Sequence, residues 1–372
     1  MIIIFKQVRK CNNQLTKRLV AFFLFALFSL WGCMKDDLFP VTPYDLYGSR
    51  GVFIVNEGNY LSGNGSLSYY DIDTREVVNV IYLNANAVPL GDVAYSMSIY
   101  KGRGYIVVNN SSCIQVVDAN TLEHIGTIEG LPSPRYILFL SDELALVSDL
   151  YARAISIVNP QALTVIGSIK TGDPSLPYFQ HPTENLIRIG NRVFTNCWSY
   201  DNKVLVIGTE SLAVIDSIEV GIQPLTMVKD MNDNLWVMND GGGYSGNPFG
   251  HEYPSLMRIS TATHQVDLRL DFPSINARVG QIALNPKGDS LYFISNHVYK
   301  MSIADDVLPE EPLIFNEGRN FRAITVDTIT GDLYISDAID FVDEGVVYRY
   351  SSNAIPVDTF SVGIIPGNFC FN

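Results

Sequence analysis

Arg192 to Gly221 reads RVFTNCWSYDNKVLVIGTESLAVIDSIEVG, three short β-patterned runs separated by two kinds of turn. Val193-Phe194-Thr195-Asn196 ends in an irregular polar and aromatic loop, Cys197 to Asn202. Val204 to Ile207 ends in a compact turn, Gly208-Thr209-Glu210-Ser211. The third run, Ala213 to Val220, alternates apolar and polar residues as a half-buried strand does. Ile215 breaks the face shared by Val214, Ile218 and Val220, so partial cover on both sides is expected there. Pro224 to Lys229 and Leu235-Trp236-Val237 then start the pattern again.

Self-similarity at a period of about 40–50 residues points to a solenoid or a propeller. First runs recur at Val52 to Asn56, Tyr105 to Asn109, Leu144 to Ser148, Val193 to Asn196, Leu235 to Asn239, Leu291 to Ser295 and Leu333 to Asp337, each ending in Asn, Ser or Asp. Second runs follow, from Leu67 to Tyr70 through Val346 to Tyr350, and most meet a polar turn such as Asp71-Ile72-Asp73-Thr74 or Asp118-Ala119-Asn120-Thr121. The sixth copy fits worst, at Ala304 to Pro312. The first copy begins directly with its second strand at Gly51, and Asn368-Phe369-Cys370-Phe371 at the other end can supply the missing innermost one. The expected fold is all-β: a seven-bladed β-propeller of four-stranded antiparallel blades over residues 50–372, closed by the C-terminal strand joining the first blade.

This fold assigns loops to faces. Loops after the first runs and links between blades share a top face, which carries nearly all the length variation: Glu57 to Ser66, Asn84 to Asp92, Thr171 to Asn185 and Asp240 to Pro254. Insertions gathered on one face of a repeat fold mark the side that binds something. Tyr60, Tyr151, Phe179, Trp198, Tyr200 and Tyr244 offer apolar contact there, and Asn56, Asn109, Arg135, His181 and Arg278 offer directed hydrogen bonds. Asn56 and Asn109 can equally satisfy backbone groups around the central channel, and aromatics such as Tyr136 and Phe321 can plug the space between blades.

Catalytic patterns are sparse. The histidines, His124, His181, His251, His264 and His297, form no metal-spaced pair, and no Gly-x-Ser-x-Gly elbow is present. His181, His251 and His297 can meet on the top face, whereas His124 and His264 fall on the other. Asp337, Asp340, Asp343 and Glu344 read as a solvated acidic loop rather than a calcium loop. Cys113, Cys197 and Cys370 read as separate thiols rather than a disulfide framework or metal site. No cofactor, metal or enzymatic activity is expected.

The first 32 residues carry five basic residues, no acidic one, and an apolar run from Leu19 to Trp31. That is the layout of a secretory signal, short for a membrane span. Leu30-Trp31-Gly32-Cys33 resembles the bacterial lipobox, with Trp31 where a small or aliphatic residue is usual, which implies lipidation at Cys33. An ordinary signal peptide containing a cysteine is the plainer alternative. Met34-Lys35-Asp36-Asp37 is similar to the acidic surface-export signal of Bacteroides-group lipoproteins, and residues 33–49 read as a lipidated linker. The formal charge is −14 and removing the leader makes it more negative, so nucleic acid is excluded as a partner.

Tyr105-Ile106-Val107-Val108-Asn109 and Val193-Phe194-Thr195-Asn196, with Asp118-Ala119-Asn120-Thr121 after a second run, resemble YVTN and YncE-like propeller repeats. With the lipobox, Lys35-Asp36-Asp37 and the opening Gly51-Val52-Phe53-Ile54-Val55-Asn56-Glu57-Gly58, the chain also resembles the BtuG group. That resemblance implies an outer-membrane lipoprotein, facing the cell exterior, that binds cobalamin or a related corrinoid and hands it to a TonB-dependent transporter. A glycan- or protein-binding propeller lipoprotein, or a propeller lactonase or lyase, are the alternatives.

Overall fold

The computed structural model describes residues 41–172 and 181–372; the leader, Cys33 and Phe179 lie outside the described residues. Each first run becomes the second strand of a sheet and each second run the third. The first blade orders Pro366–Phe371, Gly51–Asn56, Ser66–Asp71 and Val77–Val78. Blades two to five start at Ala94–Tyr100, Pro134–Phe139, Thr183–Ile189 and Pro224–Lys229, and blades six and seven at Val279–Leu284 and Phe321–Val326. These innermost strands contact one another in ring order, back to Pro366–Phe371. The protein is an all-β, seven-bladed propeller.

Closure follows the expected route. The C-terminal strand pairs antiparallel with Gly51–Asn56, setting Phe53 opposite Cys370 and Ile54 opposite Phe369, so both ends of the ring share one sheet and no edge opens at the seam. The sixth blade is the irregular one. It has three strands, and its outer position is filled only by a bridge from Ile314 to Val298.

The near-continuous apolar second strands have a direct cause. In Val52-Phe53-Ile54-Val55 alternate side chains enter different interfaces: Val52 and Ile54 pack with Tyr334 and Phe360 of blade seven, Phe53 and Val55 with Met97 and Ile106 of blade two. Both faces are buried, so both must be apolar. Outer strands differ. In Ala213–Glu219 only Ile218 is buried and Ile215 is half exposed, displaced where the ladder shifts register between Val206 and Ile207. The expected two-sided cover of that strand is therefore absent; a local bulge, not burial, breaks its alternation.

The bottom turns repeat one geometry. Asp71 accepts the amides of Asp73 and Thr74, and Asp118 those of Asn120 and Thr121. The next residue, Arg75 or Leu122, takes a left-handed φ of 62° or 61° and closes back onto the Asp carbonyl. From Val41 the expected linker lies against the ring: Tyr44 and Leu46 pack on the cluster between blades one and two, beside the short helix Ile81–Asn86.

Candidate functional site

All seven innermost strands lose register near their top ends. The shifts fall between Ala94 and Ser96, Pro134 and Ile137, Thr183 and Leu186, Pro224 and Thr226, Val279 and Ile282, and Phe321 and Ile324. The closing strand shifts at Gly367, between partners Asn56 and Val55. A bulge leaves a residue unpaired and re-aims its side chain. The residues so released, Tyr95, Arg135, Tyr136, Glu184, Leu225, Gln281 and Arg322 among them, line one central funnel of about 370 Å³, with Glu57, Trp198, Arg278, Phe321 and Phe341 around its mouth.

Polar contacts in the funnel run sideways from blade to blade. Arg135 Nε donates to Glu184 Oε1 at 2.7 Å, its Nη2 donates to the Tyr95 hydroxyl at 2.6 Å, and that hydroxyl donates to Glu184 Oε2 at 3.1 Å. The Arg135 guanidinium also stacks over the Tyr95 ring at 3.4 Å. Burial opposes the Arg135 charge, but Glu184 and the Tyr95 and Tyr136 phenols outweigh it and hold the guanidinium above its usual range. Burial lifts the Glu184 carboxyl, with Arg135 pulling it back, and pushes the Tyr136 phenol up to about 12. Across the funnel Arg322 pairs with Glu57 at 2.7 Å. Gln281 donates to the Gly367 carbonyl and accepts from the Ile324 amide, linking blades six, one and seven. Arg278 has no ion pair among the described residues and lines the mouth on two sides.

Of the residues expected on the top-face loops, Arg135, Trp198 and Arg278 line the funnel. Tyr60, Tyr151, Tyr200 and Tyr244 stand exposed on the top loops around it, joined by Phe249, Tyr253, Phe315 and Phe341. Gln223 braces this rim: its amide donates to Asp240, and its carbonyl accepts from the Tyr200 backbone and from Asn247. The Tyr200 hydroxyl raises the Tyr244 phenol.

Two expected ligand residues are corrected. Asn56 is fully buried, its amide donating to Ser66 and Ser68; Asn109 is buried, donating to Ser133 and to the carbonyl of Pro134 in the next blade. Asn196 reaches Pro224 and Ser336 reaches Pro366 in the same way. Asn109, Asn196 and Ser336 therefore latch their blades to the first residue of the neighbour's bulged strand, whereas Asn56 ties together two strands of its own blade. They serve the ring, not a ligand.

The three top-face histidines have separate surroundings. His181 Nδ1 lies 2.7 Å from Asp201 Oδ2, His297 accepts from the Asn316 amide beside Phe315, and His251 lies near Asp240. The acidic loop caps itself: Asp340 accepts the amides of Val342 and Asp343, and Asp337 those of Asn320 and Ile339. His181, Cys197 and Asp201 form the one cluster of potential metal donors among the described residues.

Sequence reasoning missed Tyr95, Glu184, Gln281 and Arg322, because strand alternation gives no reason to send successive residues to one cavity. A signal was present: Pro134-Arg135-Tyr136 and Pro224-Leu225-Thr226 each place a proline at the start of a strand whose alternation then slips.

Similarity to solved structures agrees with the fold. The chain resembles a quinonprotein alcohol dehydrogenase-like protein of Bacteroides thetaiotaomicron VPI-5482, with 18% identity and TM-score 0.65 over 87% of this chain and 78% of that one. It resembles the periplasmic gluconolactonase PpgL of Pseudomonas aeruginosa at 12% identity and TM-score 0.64, over 87% and 99%. At these identities the likeness extends to fold alone. No curated protein sequence matches the chain. A family model does, over residues 50–360, and the chain belongs to that family, described as "Domain of unknown function (DUF5074)".

Proposed function

We propose that this protein is a binding module: an outer-membrane lipoprotein, anchored through Cys33 and facing the cell exterior, that captures cobalamin or a related corrinoid over its top face and passes it to a TonB-dependent transporter. The observation that carries this reading is a polar funnel ringed by exposed aromatic side chains, Tyr60, Tyr151, Tyr200 and Tyr244. A corrinoid presents a broad, largely apolar body edged with amides and one phosphodiester. Tyrosines suit the body, since they offer large contact area at little rotamer cost. Gln281 suits the amides and Arg278 the phosphodiester. The ligand is wider than the funnel and would lie across its mouth.

Titration of the propeller with cyanocobalamin by calorimetry tests this. Residues from Val41 onward close their own ring around their own core, so that part can be used alone. Saturable binding weakened by Trp198→Ala and Tyr200→Ala is the expected result. No binding by the folded protein sinks the corrinoid reading. Release of the full-length protein from membranes by Cys33→Ala tests the anchor separately.

A lactone hydrolase is the second reading, favoured by Glu184. Its carboxyl, lifted by burial and bonded to the Tyr95 hydroxyl at the funnel, is a group suited to exchanging a proton. Turnover of gluconolactone that disappears in Glu184→Gln would put this reading first.

A further inference from the structure

At the top of blade four, beside the funnel wall, three donors of different chemistry converge. The His181 imidazole, the Cys197 thiol and the Asp201 carboxylate each bring one ligand atom, all within 4.8 Å of one another. We propose that they form a site for a borderline divalent cation of the zinc type, bound through nitrogen, sulfur and oxygen, with a fourth position open to solvent.

The backbone builds the trio without help from a cation. Cys197 ends the strand Arg192–Cys197 opposite Thr183, so the approach to the innermost strand and the exit from the second lie side by side. His181 takes a left-handed φ of 51° there. Its own amide donates to Asp201 Oδ2 at 2.9 Å, and that oxygen lies 2.7 Å from Nδ1. The other carboxylate oxygen accepts the Asn202 amide. Imidazole and carboxylate are thereby held facing each other, with the buried thiol next to both.

Tetrahedral zinc, at about 2.0–2.3 Å from such donors, sets them about 3.3–3.7 Å apart. Binding would open the His181–Asp201 contact by about 0.6 Å; with the neutral imidazole keeping its one proton on Nε2, Nδ1 is free for the cation, and the thiol proton is released to solvent. Thiolate and imidazole together select zinc over magnesium or calcium. Cys197 is fully buried, but the His181 side chain is partly exposed and gives access. Three protein donors and an open fourth position make an exchangeable site rather than a sealed structural one. The site would also clasp residues 198–202, the loop that carries Trp198 and Tyr200 to the funnel and its rim.

Cobalt(II) and zinc titration of the propeller from Val41 onward tests the proposal. One cobalt per chain with a thiolate-to-metal charge-transfer band is expected, lost when zinc displaces it. Cys197→Ser should abolish the band, and His181→Gln and Asp201→Asn should each weaken zinc binding at least ~10-fold. Cys113→Ser, whose thiol accepts from Gln115 away from the trio, should change nothing. Cobalt bound without that band, or a band that survives Cys197→Ser or disappears in Cys113→Ser, overturns the site. Cooperative melting of each variant guards against misfolding, and if Cys197→Ser fails to fold, the partly exposed His181→Gln carries the comparison: zinc bound as tightly as by wild type then overturns the proposal.

Discussion

Arg135 Nε stands 2.7 Å from Glu184 Oε1, an ion pair carried by residues that the bulges of two neighbouring innermost strands release from their ladders. The pair is buried and joins blades three and four at the funnel. Removing one partner strands the other charge away from water. Arg135→Met or Glu184→Leu alone should cost ~3–5 kcal/mol, and the double variant far less than their sum. Denaturant unfolding of the four proteins measures this; additive losses would mean the two side chains are not coupled.

Asp327 links the bottom of blade seven to the start of the ring. Burial alone would raise its carboxyl, but the Ile329 amide, the Thr330 hydroxyl and the Arg50 guanidinium outweigh burial and hold it below its ordinary 3.8. The folded value lies below the unfolded one, so the unfolded chain takes up the proton first. The stabilisation is present above about pH 3.8 and is lost as pH falls through the folded value. Asp327→Asn should lower Tm at pH 7, and the gap to wild type should close as pH falls below 3.8. A gap that stays constant down to pH 2 would assign the loss to packing.

The C-terminal strand holds the seam. Deleting residues 366–372 strips Gly51–Asn56 of its inner partner and leaves that buried apolar strand as an unpaired edge. Calorimetric melting should lose its single cooperative transition, and gel filtration should reveal association through the new edge. A monomer that melts as one unit would place closure elsewhere.

Ligand contact and ring assembly separate cleanly by position. Trp198→Ala and Arg278→Ala, at the funnel mouth, should each weaken ligand binding by ~30-fold or more while leaving the melting temperature nearly unchanged. Asn196→Ala removes the buried hydrogen bond to Pro224 and should lower stability by ~1–3 kcal/mol with ligand affinity intact. Paired calorimetry and melting on the three variants distinguish the roles; an Asn196→Ala loss in affinity alone would return that residue to the ligand.

The sequence by itself determined the ring. A recurring apolar run ending in Asn, Ser or Asp, a second run, and an Asp-led turn suffice, because a strand buried on both faces must be apolar throughout, and a turn with a left-handed residue needs its backbone capped locally. It also determined that Asn368 to Phe371 closes the first blade, since a copy that starts one strand short must find that strand elsewhere. Only the tertiary structure decided what the funnel contains. Tyr95, Glu184, Gln281 and Arg322 reach it through bulges, and a bulge arises from pairing with a neighbouring strand, which no single run encodes. It likewise turned Asn56 from a candidate ligand residue into a tie within its own blade and Asn109 into a latch to the next, and brought His181 to Asp201 across twenty residues of chain. Contacts of that kind depend on which strand ends meet at the top of the ring, a property of the closed propeller rather than of any stretch within it.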